Sequence, residues 1–243
     1  MSALAHGLES AGLPTSVIAL VLPQVEKTRP PRALMVPFML GRPFGTPDNA
    51  AFQRAVILHA LGLLERTDGP VILDNYLQED ASSTDLADWA CAMVLPNPQP
   101  EALETPEQWR RALQAELAVV LPVWQAAVAR KARTTVGLSG QPPDAFADFA
   151  AQLLDGSSPN IAAHASSALA MRFMADDLKA LYGEAVQSHG EPPSARQVDT
   201  WFWRSTVAGR LLIALRTMSL TSSDNAIKTV GSRFLVPTPW LPA

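Results

Sequence analysis

Cysteine is almost absent from this chain: Cys91 is the only one among 243 residues. That excludes an internal disulfide and any multi-cysteine metal site, and it fits a reducing cytoplasm. Histidine is scarce as well. His6, His59, His164 and His189 share no HxH, HxxxH or ExxH spacing, so no metal site is expected among them. Charge is sparse and nearly balanced, at 17% charged residues and a formal net charge of -4. Without a basic block interleaved with aromatics, nucleic acid is excluded as the expected partner. The longest apolar run, Val17 to Leu22, is far short of the roughly 20 residues of a membrane span. The first residues carry no positive n-region, so neither signal peptide nor membrane is expected. A GxGxxG loop, a phosphate-binding Walker loop and a GxSxG elbow are all missing, which leaves no cofactor indicated and no serine-hydrolase reading. What the chain has is apolar material: 48% hydrophobic residues suffice for a sizeable core.

The first third alternates helix and strand signals. Ala3 to Ser10 is helix-compatible and stops at Gly12. Thr15 to Leu22 is β-branched and apolar, as a strand covered on both faces requires. Pro23 to Thr28 can form a short helix before Arg29-Pro-Pro31, and Ala33 to Pro37 reads as a second buried strand. After the loop Phe38-Met-Leu-Gly-Arg-Pro-Phe-Gly45, Thr46 can cap a helix with Pro47 at its first position. That helix is expected from about Asp48 to Leu64, with Phe52, Val56, Leu61 and Leu64 on one face. Val71 to Leu73 is a third possible strand. Alternation of this kind predicts an α/β unit over residues 1–78, with a short parallel sheet.

The pattern changes near Gln78. Polar Asp80 to Asp85 and the prolines 96, 98 and 100 mark a linker over residues 79–104 that contains Cys91. Residues 105–243 read as a mainly helical domain. Thr105-Pro-Glu-Gln108 and Ser194-Ala-Arg-Gln197 are both capping boxes. The first opens a helix to Lys131 with a possible bend at Pro122. Pro142-Pro-Asp144 opens another to about Leu154, and Pro159 a longer one to about Gln187. The second capping box starts a helix carrying Trp201, Phe202, Trp203, Leu211, Leu212 and Leu215. Asp224 to Thr229 is a last short helix. Asp176 and Asp177 with Arg172, Lys179 and Glu184 either line a polar pocket or form a solvated face with an Arg172–Asp176 pair. Of Trp201 and Trp203, helical spacing sends one to the core and the other toward another surface.

Three separated segments carry a family resemblance: Glu9-Ser-Ala-Gly-Leu-Pro-Thr15, then Arg32-Ala-Leu-Met-Val-Pro-Phe-Met-Leu-Gly-Arg-Pro-Phe-Gly45, then Phe52-Gln-Arg-Ala-Val-Ile-Leu58. Over about residues 3–65 the chain resembles the selenoprotein B family of glycine, sarcosine, betaine and D-proline reductases. The resemblance implies thiol- or selenol-dependent reductive cleavage of a carbon–nitrogen bond in a small carboxylate. It also implies a redox selenocysteine or cysteine about a dozen residues before the Gly-Leu-Pro unit. Residues 1–14 contain neither, so this chain cannot repeat that step with the family's residue. Either a separate thiol- or selenol-bearing partner subunit supplies it, or Cys91 does. A reactive cysteine needs a nearby cation or helix N-terminus; Asp85 and Asp88 are adjacent instead, and core filling is the competing role.

The 38–45 loop is the candidate substrate site. Ligands of open α/β sheets bind beyond the carboxyl ends of strands. Gly41 and Gly45 permit close backbone approach, and Arg42 offers a planar fork for a carboxylate or phosphate. The following helix start, around Thr46 and Asp48, would point backbone N–H groups into the same region. Phe38 opens the loop. The competing reading gives the glycines and prolines a purely turn-shaping role. Three functions are therefore expected to compete. The first is an oxidoreductase, or its substrate-binding subunit, acting on a small anionic molecule. The second is a non-catalytic assembly subunit, in a complex or as a homo-oligomer. The third is an enzyme centred in the helical half.

Overall fold

The computed structural model describes residues 1–78, 89–96, 103–159, 161–190 and 193–241. The chain divides into two compact units, Met1–Leu86 and Ala87–Ala243. The first has the expected α/β character and the second is helical. The expected polar run 80–85, Asp88, and prolines 98 and 100 lie outside the described residues.

In the first unit the order is α1 (Ser2–Ser10), β1 (Val17–Ala19), α2 (Leu22–Thr28), β2 (Arg32–Met35), α3 (Ala50–Gly62) and β3 (Ile72–Asn75). The three strands form a parallel sheet in the order β1-β2-β3. Side-chain alternation gives each face its own cover. Ile18, Leu20, Leu34, Val36, Ile72 and Tyr76 meet Val56 and Ala60 of α3 and Leu63 just after it. Val17, Ala19, Ala33 and Met35 meet Val25 of α2. At the amino end of the sheet, Glu9 fastens three elements together. Its Oε1 accepts from the Thr15 backbone N–H at 2.6 Å and from Arg32 Nη1 at 2.6 Å.

Strand and helix ends depart from the sequence expectation. The apolar run 15–22 contributes only three paired residues, because Leu22 already belongs to α2 with Pro23 in its first turn. Helix α3 begins at Ala50, not Asp48, and Asn49 caps it, not Thr46: its side chain accepts from the Phe52 N–H. Asp48 is the cause. Its φ of 65° puts the chain in the left-handed region, where a helix cannot start. The buried face is Val56, Ala60 and Leu63, and Leu61 is 50% exposed.

The second unit contains α4 (Pro106–Lys131), α5 (Phe146–Leu154), α6 (Ser167–Val186), α7 (Ala195–Ser205), α8 (Val207–Leu220) and α9 (Asn225–Arg233). Both capping boxes form, at Thr105–Gln108 and Ser194–Gln197. Helix α4 runs continuously through Pro122. Counting apolar runs overlooked α4, which is long and apolar enough by length and composition to cross a membrane. One stripe of it, Leu113, Glu116, Leu117, Val120 and Ala127, is buried. Helix α6 starts at Ser167 under a Ser166 cap, eight residues after the expected Pro159.

The helix expected to carry Trp201 through Leu215 is two helices. Thr206 breaks it in an extended conformation, and its side chain caps α8 through the Gly209 N–H. A buried carboxylate from α4 completes that break. Glu116 accepts from the Val207 N–H at 2.7 Å, the Ala208 N–H at 3.0 Å and the Tyr182 hydroxyl at 2.7 Å. Trp201 and Trp203 are both buried, so neither reaches another surface.

Candidate functional site

The 38–45 loop leaves the carboxyl end of β2, the middle strand of the sheet. Backbone bonds from the Val36 N–H to Ala19 O (2.9 Å) and from the Tyr76 N–H to Met35 O (2.8 Å) hold the three strand exits in register. The loop is two successive tight turns. The first runs from Met39 to Arg42, closed by the Arg42 N–H on Met39 O at 3.0 Å. Its third residue, Gly41, has φ 88°, which suits glycine there. The second runs from Arg42 to Gly45, closed by the Gly45 N–H on Arg42 O at 3.0 Å. Proline at its second position and glycine at its fourth are the residues such a turn favours. The turn-shaping role of the glycines is therefore real, and it places Arg42 at the junction of both turns.

The Arg42 side chain is half-buried, and it makes no hydrogen bond or ion pair among the described residues. Of the other arginines of this unit, Arg29 and Arg54 are exposed, and two are engaged. Arg32 pairs with Glu9, and Arg66 pairs with Asp68 and reaches Asp74 at 3.7 Å. Gly45 is buried, Thr46 is half-buried, and Asp48 faces solvent. The Thr46 carbonyl accepts from Gln53 Nε2 at 2.8 Å, which ties the loop to the first turns of α3. Phe38 packs inward, edge-on to Phe52 (5.5 Å between centroids) and to Tyr76 (5.9 Å). Sequence reasoning did not place Phe52 and Tyr76 beside Phe38, because that contact joins three elements. Beyond the trio, the His59 ring meets Tyr76, and its Nε2 lies 3.1 Å from Asp74 Oδ2. No spacing rule reveals that pair, since it spans a helix and a strand.

Cys91 belongs to the second unit. It packs beside Trp89 and Leu95 against the helical core. Burial pushes its thiol above the ordinary 9.0, and the Met93 backbone N–H only partly offsets this. The suspected acidic neighbours, Asp85 and Asp88, lie outside the described residues. At neutral pH Cys91 is thus a protonated, half-buried thiol, the opposite of an activated nucleophile. Among the described residues no group of three or more His, Cys, Asp and Glu side chains could hold a metal ion.

The polar residues suspected on α6 turn out to clamp a loop. Asp177 is fully buried. It accepts from the N–H groups of Gly137 (2.9 Å), Leu138 (3.0 Å) and Ser139 (2.9 Å), and from the Ser139 hydroxyl. Two turns on, Glu184 accepts from Trp124 Nε1 at 2.9 Å and from the Thr135 N–H at 2.8 Å. Asp176 pairs with Lys179, and Arg172 stacks on Phe234 at 4.2 Å, so the expected Arg172–Asp176 pair does not form. Asp177 and Glu184 are thus taken up by the connection between α4 and α5, together with Trp124 of α4.

Compared with known proteins, the chain matches no family model, no curated protein and no solved structure significantly. The chemistry of the site therefore rests on its own residues.

Proposed function

We propose that this chain is the substrate-binding component of a thiol- or selenol-dependent reductase acting on a small carboxylate or amine. In this reading Arg42 receives the anionic group, Phe38 forms the floor, and a partner protein brings the redox residue. The observation that carries the anion site is the half-buried Arg42 side chain, without a partner among the described residues, on a loop beyond the carboxyl end of a parallel strand. The reductase part rests on the resemblance of the 9–58 segments. The assignment of the thiol to a partner is supported by the raised, half-buried Cys91.

Titration calorimetry with small carboxylates, from acetate to hexanoate, tests it, on the wild type, Arg42→Ala and Cys91→Ser. Binding by the wild type and by Cys91→Ser, with a tenfold or greater loss in Arg42→Ala, is the expected outcome; one decade corresponds to about 1.4 kcal/mol. Equal affinity in Arg42→Ala would remove the anion site. Thiol-dependent turnover by this chain alone, lost in Cys91→Ser, would remove the partner.

One observation favours the assembly reading as a second possibility. Helix α3 is apolar on its outer side too, with Leu58 55% and Leu61 50% exposed beside the exposed Ala51 and Ala55. Apolar residues on a helix's outer side, beside the face already buried on the sheet, suit a neighbour there.

A further inference from the structure

We infer that the anion received at the 38–45 loop carries an apolar body, as a branched-alkyl or aromatic carboxylate does, in contrast to a compact zwitterion. The inference rests on the reading of Arg42 as an anion site. Turn positions are ordinarily Gly, Pro, Asn, Asp or Ser. Here three positions of the loop, on either side of Gly41-Arg42-Pro43, are large and apolar: Met39 is 41% exposed, Leu40 76% and Phe44 38%. The turn geometry does not require them, because Gly41, Pro43 and Gly45 already supply it. The neighbouring strand exits add more of the same. Val21, two residues past β1, is 45% exposed, and Leu77, two residues past β3, is 89% exposed. Parallel strands held in register bring these exits to one end of the sheet.

Charge points the same way. Asp48 is the one carboxylate between Glu26 and Glu65, and Arg42 and Arg54 lie in the same stretch. Asp74 is already engaged by His59 and by the Asn75 N–H. Among the described residues of this stretch a zwitterion's ammonium thus finds one exposed acid, whereas a carboxylate with an apolar tail finds an arginine on a loop of exposed apolar residues. Each methylene the ligand buried there would add about fourfold in affinity.

The test is a calorimetric series on the full chain with acetate, butyrate, hexanoate, phenylacetate, hexanol and glycine. The same series is run on Leu40→Ser, Phe44→Ser and Arg42→Ala. Affinity is expected to rise about threefold to fourfold per methylene from acetate to hexanoate, with hexanol and glycine far weaker. The serine variants are expected to flatten the rise while leaving acetate unchanged. Acetate and hexanoate binding equally would overturn the apolar body but leave the anion site standing. Hexanol binding as tightly as hexanoate, or no binding by any acid, would overturn both. Concentration-dependent self-association in sedimentation, abolished by Leu40→Ser or Phe44→Ser, would assign the apolar border to a second copy of this chain and overturn the inference.

Discussion

At the scale of single residues, carboxylates in this protein differ in sign of shift according to what surrounds them. Glu9 sits at a surface junction, and its carboxyl is held below the ordinary 4.5, first by the Thr15 backbone N–H and then by Arg32. An acid with a depressed native pKa adds stability that is fully present above the unfolded value and is lost as pH falls through the folded one. Denaturant midpoints measured from about pH 6 to about pH 3 should therefore fall for the wild type. Glu9→Gln should begin lower and lose less over that range, and an unchanged slope would show that the Glu9 contacts do not form. Glu116 behaves in the opposite sense. Burial raises its pKa, against the opposing hydrogen bonds from Val207, Tyr182 and Ala208. A raised acid favours the fold most below its unfolded value, and that contribution is lost as pH rises through the folded one. Burial acts on the Cys91 thiol in the same direction.

At the scale of elements, the break between α7 and α8 shows long-range contacts deciding a helix end. Nothing near Thr206 stops a helix as proline would, yet Thr206 is extended and Glu116, 90 residues earlier in the chain, takes the first N–H groups of α8. The crossing is close because Gly209 has no side chain. A Cβ there would overlap the Phe202 carbonyl oxygen and come within 3.0 Å of Trp203 Cα. Both are backbone atoms and neither can swing aside. Gly209→Ala should cost about 1–3 kcal/mol, read as a lower denaturant midpoint with an unchanged slope. An alanine variant as stable as the wild type would mean that α7 and α8 do not pack this closely. Asp177 acts on a loop in the same way, gathering three consecutive N–H groups of residues 137–139.

At the scale of the molecule, apolar cores form separately in the two units. Among the described residues, the sheet clusters draw on residues up to Tyr76 and the helical cluster on residues from Trp89 onward. Units with their own cores unfold as separate transitions when little else couples them. Calorimetry should resolve two transitions, with Arg32→Met lowering one and Gly209→Ala the other. A single transition moved by both variants would show one cooperative body. The α/β unit and the helical unit were legible in advance because strand alternation and capping boxes act over a few residues. Thr105–Gln108 and Ser194–Gln197 were found on that basis, as was the loop after β2. The aromatic trio Phe38, Phe52 and Tyr76 was not, because its members come from three elements. One tryptophan of α7 belongs in the core as its spacing requires, and the second departs from expectation for the same reason: helices on several sides bury both.

The 38–45 loop shows where local and tertiary determinants divide. Its two turns follow from Gly41, Pro43 and Gly45, since φ preferences act residue by residue. The same local rules placed the cap of α3 three residues too early, because Asp48 enters the left-handed region and passes the role to Asn49. Arg42 and its apolar neighbours are present whatever the fold. Only the fold decided that this arginine is half-buried without a partner among the described residues, whereas Arg32 is paired with Glu9. Pairing depends on which side chains the packed elements bring within hydrogen-bond reach, and that is a property of three-dimensional placement.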